Sequence, residues 1–213
     1  MNQREFSNLV SKWAMDGTPF FFLVDFEKKD PIATTVEEAA DMGIYFEFHG
    51  KGNRNFPVQK QTSLNFNYSP FSKEIFAQKF KQVQEHLKNG DTYLLNLTFP
   101  SQIHSSLQLD EIFQLAQAPY KLLYQDKFVV FSPECFIRIQ GNQILTYPMK
   151  GTINANIPGA KQKLLENQKE IWEHNTIVDL MRNDLSRVSQ QIEVSKYRFV
   201  DRIHTNRNEL LQT

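Results

Sequence analysis

Hydrophobic residues recur every three or four positions in several stretches of the chain, which is the spacing of one face of an α-helix. The clearest stretch is residues 72–88, where Ser72 can cap the start of a helix and Gly90 can end it. The same spacing predicts helices over residues 4–16, 35–42, 109–116 and 160–187, the last in one or two pieces.

Runs of β-branched and aromatic residues bounded by turn signals predict strands. They lie at residues 19–26, 44–48, 93–99, 121–124, 128–131, 136–139, 143–147 and 192–200. The first of them is almost entirely apolar, so we expect it to be buried. Because helices and strands intermix without a regular strand–helix–strand period, we predict an α+β fold with large antiparallel sheets flanked by helices.

The composition narrows the class of protein. The formal net charge is zero, so nothing in the charge favours nucleic acid or an acidic membrane surface as a partner. The longest apolar run near the N-terminus, residues 19–24, is far too short to span a bilayer. Cys135 is the single cysteine, which excludes a disulfide within the chain and fits a reducing compartment. We therefore predict a cytoplasmic protein that binds neither nucleic acid nor membranes.

A lysine follows the strand predicted at residues 143–147. Lys150 lies between a proline, which cannot continue a strand ladder, and Gly151, which permits unusual backbone angles. A lysine at a stiff strand end is well placed to act as a nucleophile or to bind a carboxylate or phosphate. The alternative is an ordinary loop lysine in solvent.

Glu134 is a second candidate for a chemical role. It follows Ser132 and Pro133 at a break between two predicted strands, so its carboxylate can face a cleft. The alternative is a surface glutamate beside a turn.

Residues 172–188, at the end of the helical region predicted over residues 160–187, include several charged residues. The middle of this segment is apolar on nearly every side except at Asp179, so we expect this carboxylate to be buried and paired with a nearby arginine such as Arg182. Glu173 lies one turn before this apolar stretch, at a cleft-facing depth where a carboxylate can bind a hard cation such as Mg²⁺. For His174 we predict a packing or surface role, because no second histidine or cysteine lies nearby at metal-binding spacing.

Asn96 is a polar residue inside a strongly apolar predicted strand. We expect it to be buried and hydrogen-bonded, either to order a pocket or to tie the sheet to a loop.

Four sequence motifs together resemble a known family. They are GDTYLLNLT, SPECF, TYPMKGT and EHNTIVDLMRNDLSRV, and they occur in this order between residues 90 and 188. The chain is similar to the chorismate-utilising enzymes, which include anthranilate, aminodeoxychorismate, isochorismate and salicylate synthases. The resemblance implies an anthranilate synthase component I-like fold, with residues 1–70 as an N-terminal α/β segment and residues 71–213 as the first part of the chorismate-binding catalytic domain.

The lysine in the PMKGT stretch makes the chain most similar to aminodeoxychorismate synthase component I, whose typical motif is PIKGT. The resemblance then implies that Lys150 attacks chorismate, that Glu134 protonates leaving groups, and that Glu173 is one of the Mg²⁺ ligands. It implies that the backbone at Gly151 and Thr152 approaches the substrate. A glutamine amidotransferase subunit would supply ammonia, and the product, 4-amino-4-deoxychorismate, would serve folate and para-aminobenzoate biosynthesis.

Two departures from the family pattern lead to further expectations. The motif with which larger relatives bind regulatory tryptophan is missing, and the chain stops where the family normally continues. We therefore expect a C-terminally truncated chain that is inactive alone. The alternatives are an anthranilate or isochorismate synthase of the same family, or a catalytically incomplete scaffold that binds a partner.

Overall fold

The computed structural model describes residues 1–53, 65–205 and 208–213. The helices are α1 (Gln3–Asp16), α2 (Lys73–Asn89), α3 (Leu109–Leu115), α4 (Ala160–Glu166) and α5 (Gln168–Ser186). The strands are β1 (Phe20–Leu23), β2 (Ile32–Thr35), β3 (Ile44–Phe48), β4 (Lys51–Gly52), β5 (Phe66–Ser69), β6 (Gln102–Ser105), β7 (Tyr120–Tyr124), β8 (Phe128–Ser132), β9 (Arg138–Gln140), β10 (Gln143–Leu145), β11 (Thr152–Asn154), β12 (Asp201–His204) and β13 (Glu209–Gln212).

The largest sheet is antiparallel and has four strands in the order β4-β3-β7-β8. Its buried side chains include Ile44 and Leu123, and α3 covers it with Phe113, which is fully buried. Lys121 is also buried there and forms an ion pair with Glu47 across the β3–β7 pair, at 3.3 Å. This sheet joins strands from before and after residue 70.

A second sheet supports the segment that carries Lys150. It is antiparallel, with the order β11-β13-β12, and α4 packs against β11 and β13. Ala160 and Leu164 of α4 and Leu211 of β13 form its buried core. The hairpin β9–β10 precedes β11 in the chain.

Most predicted helices are confirmed. Structure and sequence agree on α1, α2 and α3 to within a residue or two, and residues 160–187 form two helices separated at Asn167. Ser72 caps α2 and Gly90 ends it in a left-handed conformation, as predicted. The α+β class with antiparallel sheets is confirmed, whereas the division at residue 70 stays a prediction.

The helix predicted over residues 35–42 is wrong. Thr35 belongs to β2, where it pairs with Phe20, and residues 36–42 form turns. The capping contact itself exists, because the Thr35 hydroxyl accepts a hydrogen bond from the Glu38 amide at 3.2 Å. Only the Ala39 amide bonds four residues back, to the Thr35 carbonyl, and the amides of residues 41–43 bond three residues back, so no run of α-helical hydrogen bonds propagates. The segment ends at Gly43, which has a positive φ of 72°.

Two predicted strands are also absent. Residues 93–99 and 192–200 lack regular secondary structure, although both are rich in strand-forming residues. A strand needs a hydrogen-bonded neighbour, and strand propensity alone does not supply one. In the described part of the chain, β5 pairs with β6 instead, and β12 begins only at Asp201. The strand at residues 19–26 is shortened to β1 and is only half buried, with Phe22 55% exposed.

Candidate functional site

Lys150 lies in the connection between β10 and β11, and its backbone is fixed by the last strand. Its amide donates to the Thr213 carbonyl at 2.5 Å, and the Thr213 amide donates to Gly151 at 3.2 Å. The Thr213 hydroxyl also donates to the Lys150 carbonyl. The Lys150 side chain is half-buried, and its amine makes no hydrogen bond or ion pair with any residue that the structure describes. The backbone of Lys150 is therefore held in place, and its amine is available to bind a ligand.

Glu134 lies beside this segment. One oxygen of its carboxylate accepts a hydrogen bond from the Met149 amide at 3.2 Å, directly before Lys150 in the chain. The Ser132 hydroxyl fixes the Glu134 backbone, because it accepts from the Glu134 amide at 3.1 Å and donates to its carbonyl at 3.0 Å. The break after β8 thus holds a half-buried acid next to the lysine segment.

Gly151 is in close contact with α4 and α5. Its φ of 78° is left-handed, and a Cβ atom added there would lie 2.9 Å from a carboxylate oxygen of Glu170 and 3.1 Å from Leu164. A larger residue would therefore collide with its neighbours. Thr152 begins β11 and is exposed.

Two carboxylates near the start of α5 face one cation. The Lys169 ammonium lies 2.9 Å from Glu173 and 3.4 Å from Glu170. The hydrogen bond from Lys169 to Glu173 is the main reason that the pKa of Lys169 is raised. Because both carboxylates converge on one positive charge, they fit a hard divalent cation, which usually takes one or two carboxylates and fills its other positions with water or substrate. Among the described residues no cluster of three or more metal-ligating side chains is found.

The structure thus connects four of the five predicted site residues, Glu134, Lys150, Gly151 and Glu173, through a continuous series of contacts. Glu134 contacts the segment of Lys150 and Gly151, Gly151 lies against Glu170, and Glu170 shares a cation with Glu173. Sequence reasoning missed Glu170. Its position three residues before Glu173, on the same helical face, was the available signal.

The predicted burial of Asp179 is wrong. Its side chain is 83% exposed, because α5 turns this face to solvent, and it pairs with Arg182 at 3.6 Å as expected. Asn96 is likewise exposed, because residues 93–99 form no strand and bury no sheet face.

His174 is buried, and its predicted packing role is confirmed by an edge contact with the Tyr197 ring at 5.7 Å between centroids. Its Nδ1 atom is buried without a hydrogen-bond partner. Burial, and then the positive charge of Arg198, hold the pKa of His174 below its usual value.

The chain matches known proteins over nearly its whole length. The family model of chorismate binding enzymes matches residues 15–206. A Haemophilus influenzae protein described as an uncharacterized PabA-like protein is 50% identical over 210 residues, which cover 99% of this chain and 64% of the relative. The chain thus spans about two thirds of the length of this relative.

Two enzymes are similar at lower identity. Anthranilate synthase component 1 of Haloarcula marismortui is 34% identical over 60% of this chain and 28% of that enzyme. Aminodeoxychorismate synthase component 1 of Escherichia coli is 33% identical over 64% of this chain and 33% of that enzyme.

The fold has a counterpart among solved structures. A Bacillus anthracis protein, described as a putative 2,3-dihydroxybenzoate-specific isochorismate synthase, superposes with a TM-score of 0.59 at 16% identity. The superposition covers 98% of this chain and 58% of that protein. With the sequence match over residues 15–206, this likeness leads to one conclusion: the chain belongs to the family of chorismate binding enzymes.

Proposed function

We propose that this chain forms part of an aminodeoxychorismate synthase component I. Such an enzyme converts chorismate and ammonia to 4-amino-4-deoxychorismate on the way to para-aminobenzoate and folate. The observation that carries the proposal is the amine of Lys150, which pairs with no residue in the described ranges and is held on a rigid backbone one residue after the amide that binds Glu134. A nucleophile with an acid beside it is the minimum that this substitution needs.

Lys150 and Glu134 would share the work of the reaction. The Lys150 amine forms a bond to C2 of chorismate, the ring double bonds shift, and the C4 hydroxyl leaves as water with a proton from Glu134. Ammonia then bonds to C4, the double bonds shift back, and the lysine is expelled from C2. Gly151 and Thr152 would let the backbone approach the substrate, because glycine carries no side chain and takes the left-handed conformation that the close packing on α4 and α5 requires.

Glu173 and Glu170 are the residues that would hold Mg²⁺. When bound, the ion would neutralise a substrate carboxylate and withdraw charge from the ring. Lys169 must release both carboxylates, and its exposure, at 69%, lets the ammonium move into solvent.

The partner and compartment belong to the same proposal. Ammonia would come from a glutamine amidotransferase subunit in the cytoplasm, and residues 71–213 would form the first part of the catalytic domain. Within the described residues no helix is long and apolar enough to cross a membrane.

A second candidate is an anthranilate or isochorismate synthase. It is favoured because this chain is 34% identical to an anthranilate synthase component and 33% identical to an aminodeoxychorismate synthase component. The fold also superposes on that of a protein described as a putative isochorismate synthase. All three reactions begin with chorismate, so the product distinguishes them.

The test starts from the gene product at the length at which its cells make it, which intact-mass spectrometry defines. That protein is incubated with chorismate, MgCl₂ and a low concentration of ammonium, and the products are separated by chromatography. We expect 4-amino-4-deoxychorismate, and a loss of kcat/KM of about 100-fold or more in Lys150→Ala.

Lys161→Ala is the matched control, because Lys161 is an exposed lysine on α4. Full turnover by Lys150→Ala at low ammonium would exclude the nucleophile. Anthranilate or isochorismate as product would favour the second candidate. Partner binding without any affinity for chorismate would mean a scaffold.

A further inference from the structure

The hairpin β9–β10 lies between the two segments that hold Glu134 and Lys150. Glu134 is in the turn before β9, and Lys150 is in the connection after β10. Within the described ranges this hairpin is a sheet of only two strands, and no other strand pairs with it. A two-stranded hairpin is only marginally stable by itself. The position of the acid relative to the lysine therefore depends on side chains that fasten the hairpin to the rest of the molecule.

Arg138, the first residue of β9, contacts the four-stranded sheet. One of its terminal nitrogens lies 3.4 Å from Nε2 of His49, and the Tyr120 hydroxyl lies 2.9 Å from the same atom. A hydrogen bond with Tyr120 is the main reason that the pKa of Arg138 is raised. Arg138 thus connects the hairpin to the end of the sheet where β3 stops and β7 begins.

The partners of Arg138 in the sheet are held in place. The backbone of His49 is left-handed, with a φ of 49°, and its amide donates to the Pro119 carbonyl at 2.7 Å. Its ring meets the Tyr120 ring edge-on, with 4.8 Å between centroids, and Tyr120 also packs on Phe48. A residue in this sparsely populated conformation persists only where its surroundings hold it. The two rings therefore form a fixed support for the hairpin.

The same support lies against the turn that carries Glu134. Tyr120 pairs with Ser132 at the end of β8, and the Ser132 hydroxyl fixes the Glu134 backbone. Burial raises the pKa of Tyr120, and a hydrogen bond with the Cys135 side chain raises it further. Tyr120 thus lies next to the chain on both sides of Glu134.

Arg138 also reaches the segment of Lys150. The central carbon of its guanidinium lies 5.6 Å from the centroid of the Tyr147 ring, which is within the range of a cation–π contact. Tyr147 lies two residues before Met149, whose amide donates to the Glu134 carboxylate at 3.2 Å. One side chain therefore contacts the supports of both segments.

We propose that Arg138 is a positioning residue that holds Glu134 beside the Lys150 segment. The edge of its guanidinium donates to the sheet while its face lies against Tyr147, a combination that a planar cation permits and an ammonium group does not. Arg138 acts through these neighbours and does not contact the substrate. The inference rests on the proposed function, because the roles of the acid and the nucleophile are assigned there.

The first measurement is the rate at which iodoacetamide alkylates Cys135, read from the mass of the peptide that contains it. The gene product is used at its natural length without chorismate or magnesium, so the rate is independent of the proposed reaction. We expect Arg138→Ala to raise the rate at least about threefold, because loss of a hydrogen bond to a charged group lets the turn open more often. Arg4→Ala, at an exposed arginine of α1, is the matched control and should leave the rate unchanged. Equal rates in the two variants would overturn the proposal.

Tyr120→Phe tests the same support if Arg138→Ala fails to fold, because it keeps the ring and removes only the hydroxyl. It should also raise the alkylation rate of Cys135, and an unchanged rate would overturn the proposal. The double variant should react no faster than the faster single variant, because both changes disrupt one network. Effects that multiply would show two independent contacts and refute the shared support.

Turnover then shows whether the support acts on the reaction. With chorismate, MgCl₂ and a low concentration of ammonium, Arg138→Ala should lower kcat at least about tenfold and leave KM within about twofold, because a reacting group is displaced and no substrate contact is lost. A raised KM at unchanged kcat would mean that Arg138 contacts the substrate, which would overturn the positioning role. Absence of any product from the wild-type protein would refute the proposed function, while the alkylation rates still decide whether Arg138 holds the turn.

Discussion

Replacement of Gly151 by alanine tests how closely α4 and α5 approach the lysine segment. The new methyl group would lie 2.9 Å from a carboxylate oxygen of Glu170 and 3.1 Å from a methyl group of Leu164, which is 3% exposed. The glutamate side chain can swing away, but Leu164 lies in the core of the β11-β13-β12 sheet and has little room to move.

Two costs add up in this variant. An L-residue in the left-handed region costs about 1–2 kcal/mol. Overpacking against a filled core costs about 1–3 kcal/mol more. We therefore expect Gly151→Ala to lower the free energy of unfolding by about 2–5 kcal/mol, a large part of the stability of a typical domain.

Gly90→Ala isolates the first of these costs. Gly90 ends α2 at a φ of 79°, almost the same as the 78° of Gly151, but nothing lies within 4 Å of its added Cβ. Urea unfolding followed by circular dichroism should place the Gly151→Ala midpoint about 0.5–1.5 M below that of Gly90→Ala. Coincident midpoints would refute the close approach of Leu164 and Glu170, and with it the reason for a glycine beside Lys150.

Two further predictions concern the core and the buried histidine. Phe113→Ala should lower the free energy of unfolding by about 3–5 kcal/mol, measured by urea unfolding, because this ring is fully buried between α3 and the four-stranded sheet. Phe26→Ala should change it by less than about 0.5 kcal/mol, because Phe26 is fully exposed. Similar losses in both variants would contradict the assigned core. Burial holds the pKa of His174 below its usual value, so the unfolded chain binds the proton more readily, and the stability that is complete above a pH of about 6.5 should fall as the pH decreases below it. His174→Gln should remove this part of the slope of unfolding free energy between pH 7 and pH 5, and parallel pH profiles for the two proteins would contradict the assignment.

The sequence predicts elements well where the signals are local. Helix α2 carries its own cap at Ser72 and its own stop at Gly90, and both are used in the structure. Residues 93–99 have an equally clear strand composition, yet whether a strand forms depends on a neighbour that composition does not reveal. The same holds for Asp179, because its apolar neighbours indicated burial, while the side of α5 that faces the rest of the chain is set by contacts with other elements.

The candidate site shows why residue types can be predicted and their placement cannot. Lys150 and Glu134 stand out by position relative to strand ends, and Glu173 by its place on a helix, so each could be named from local sequence. Lys150 owes its position to Thr213, which is 63 residues away in the chain and binds its backbone on both sides. The position of the Lys150 amine therefore depends on a tertiary contact. A substitution that weakens the β11–β13 pairing should displace Lys150 without touching it, so the nucleophile and the last strand have to be tested together.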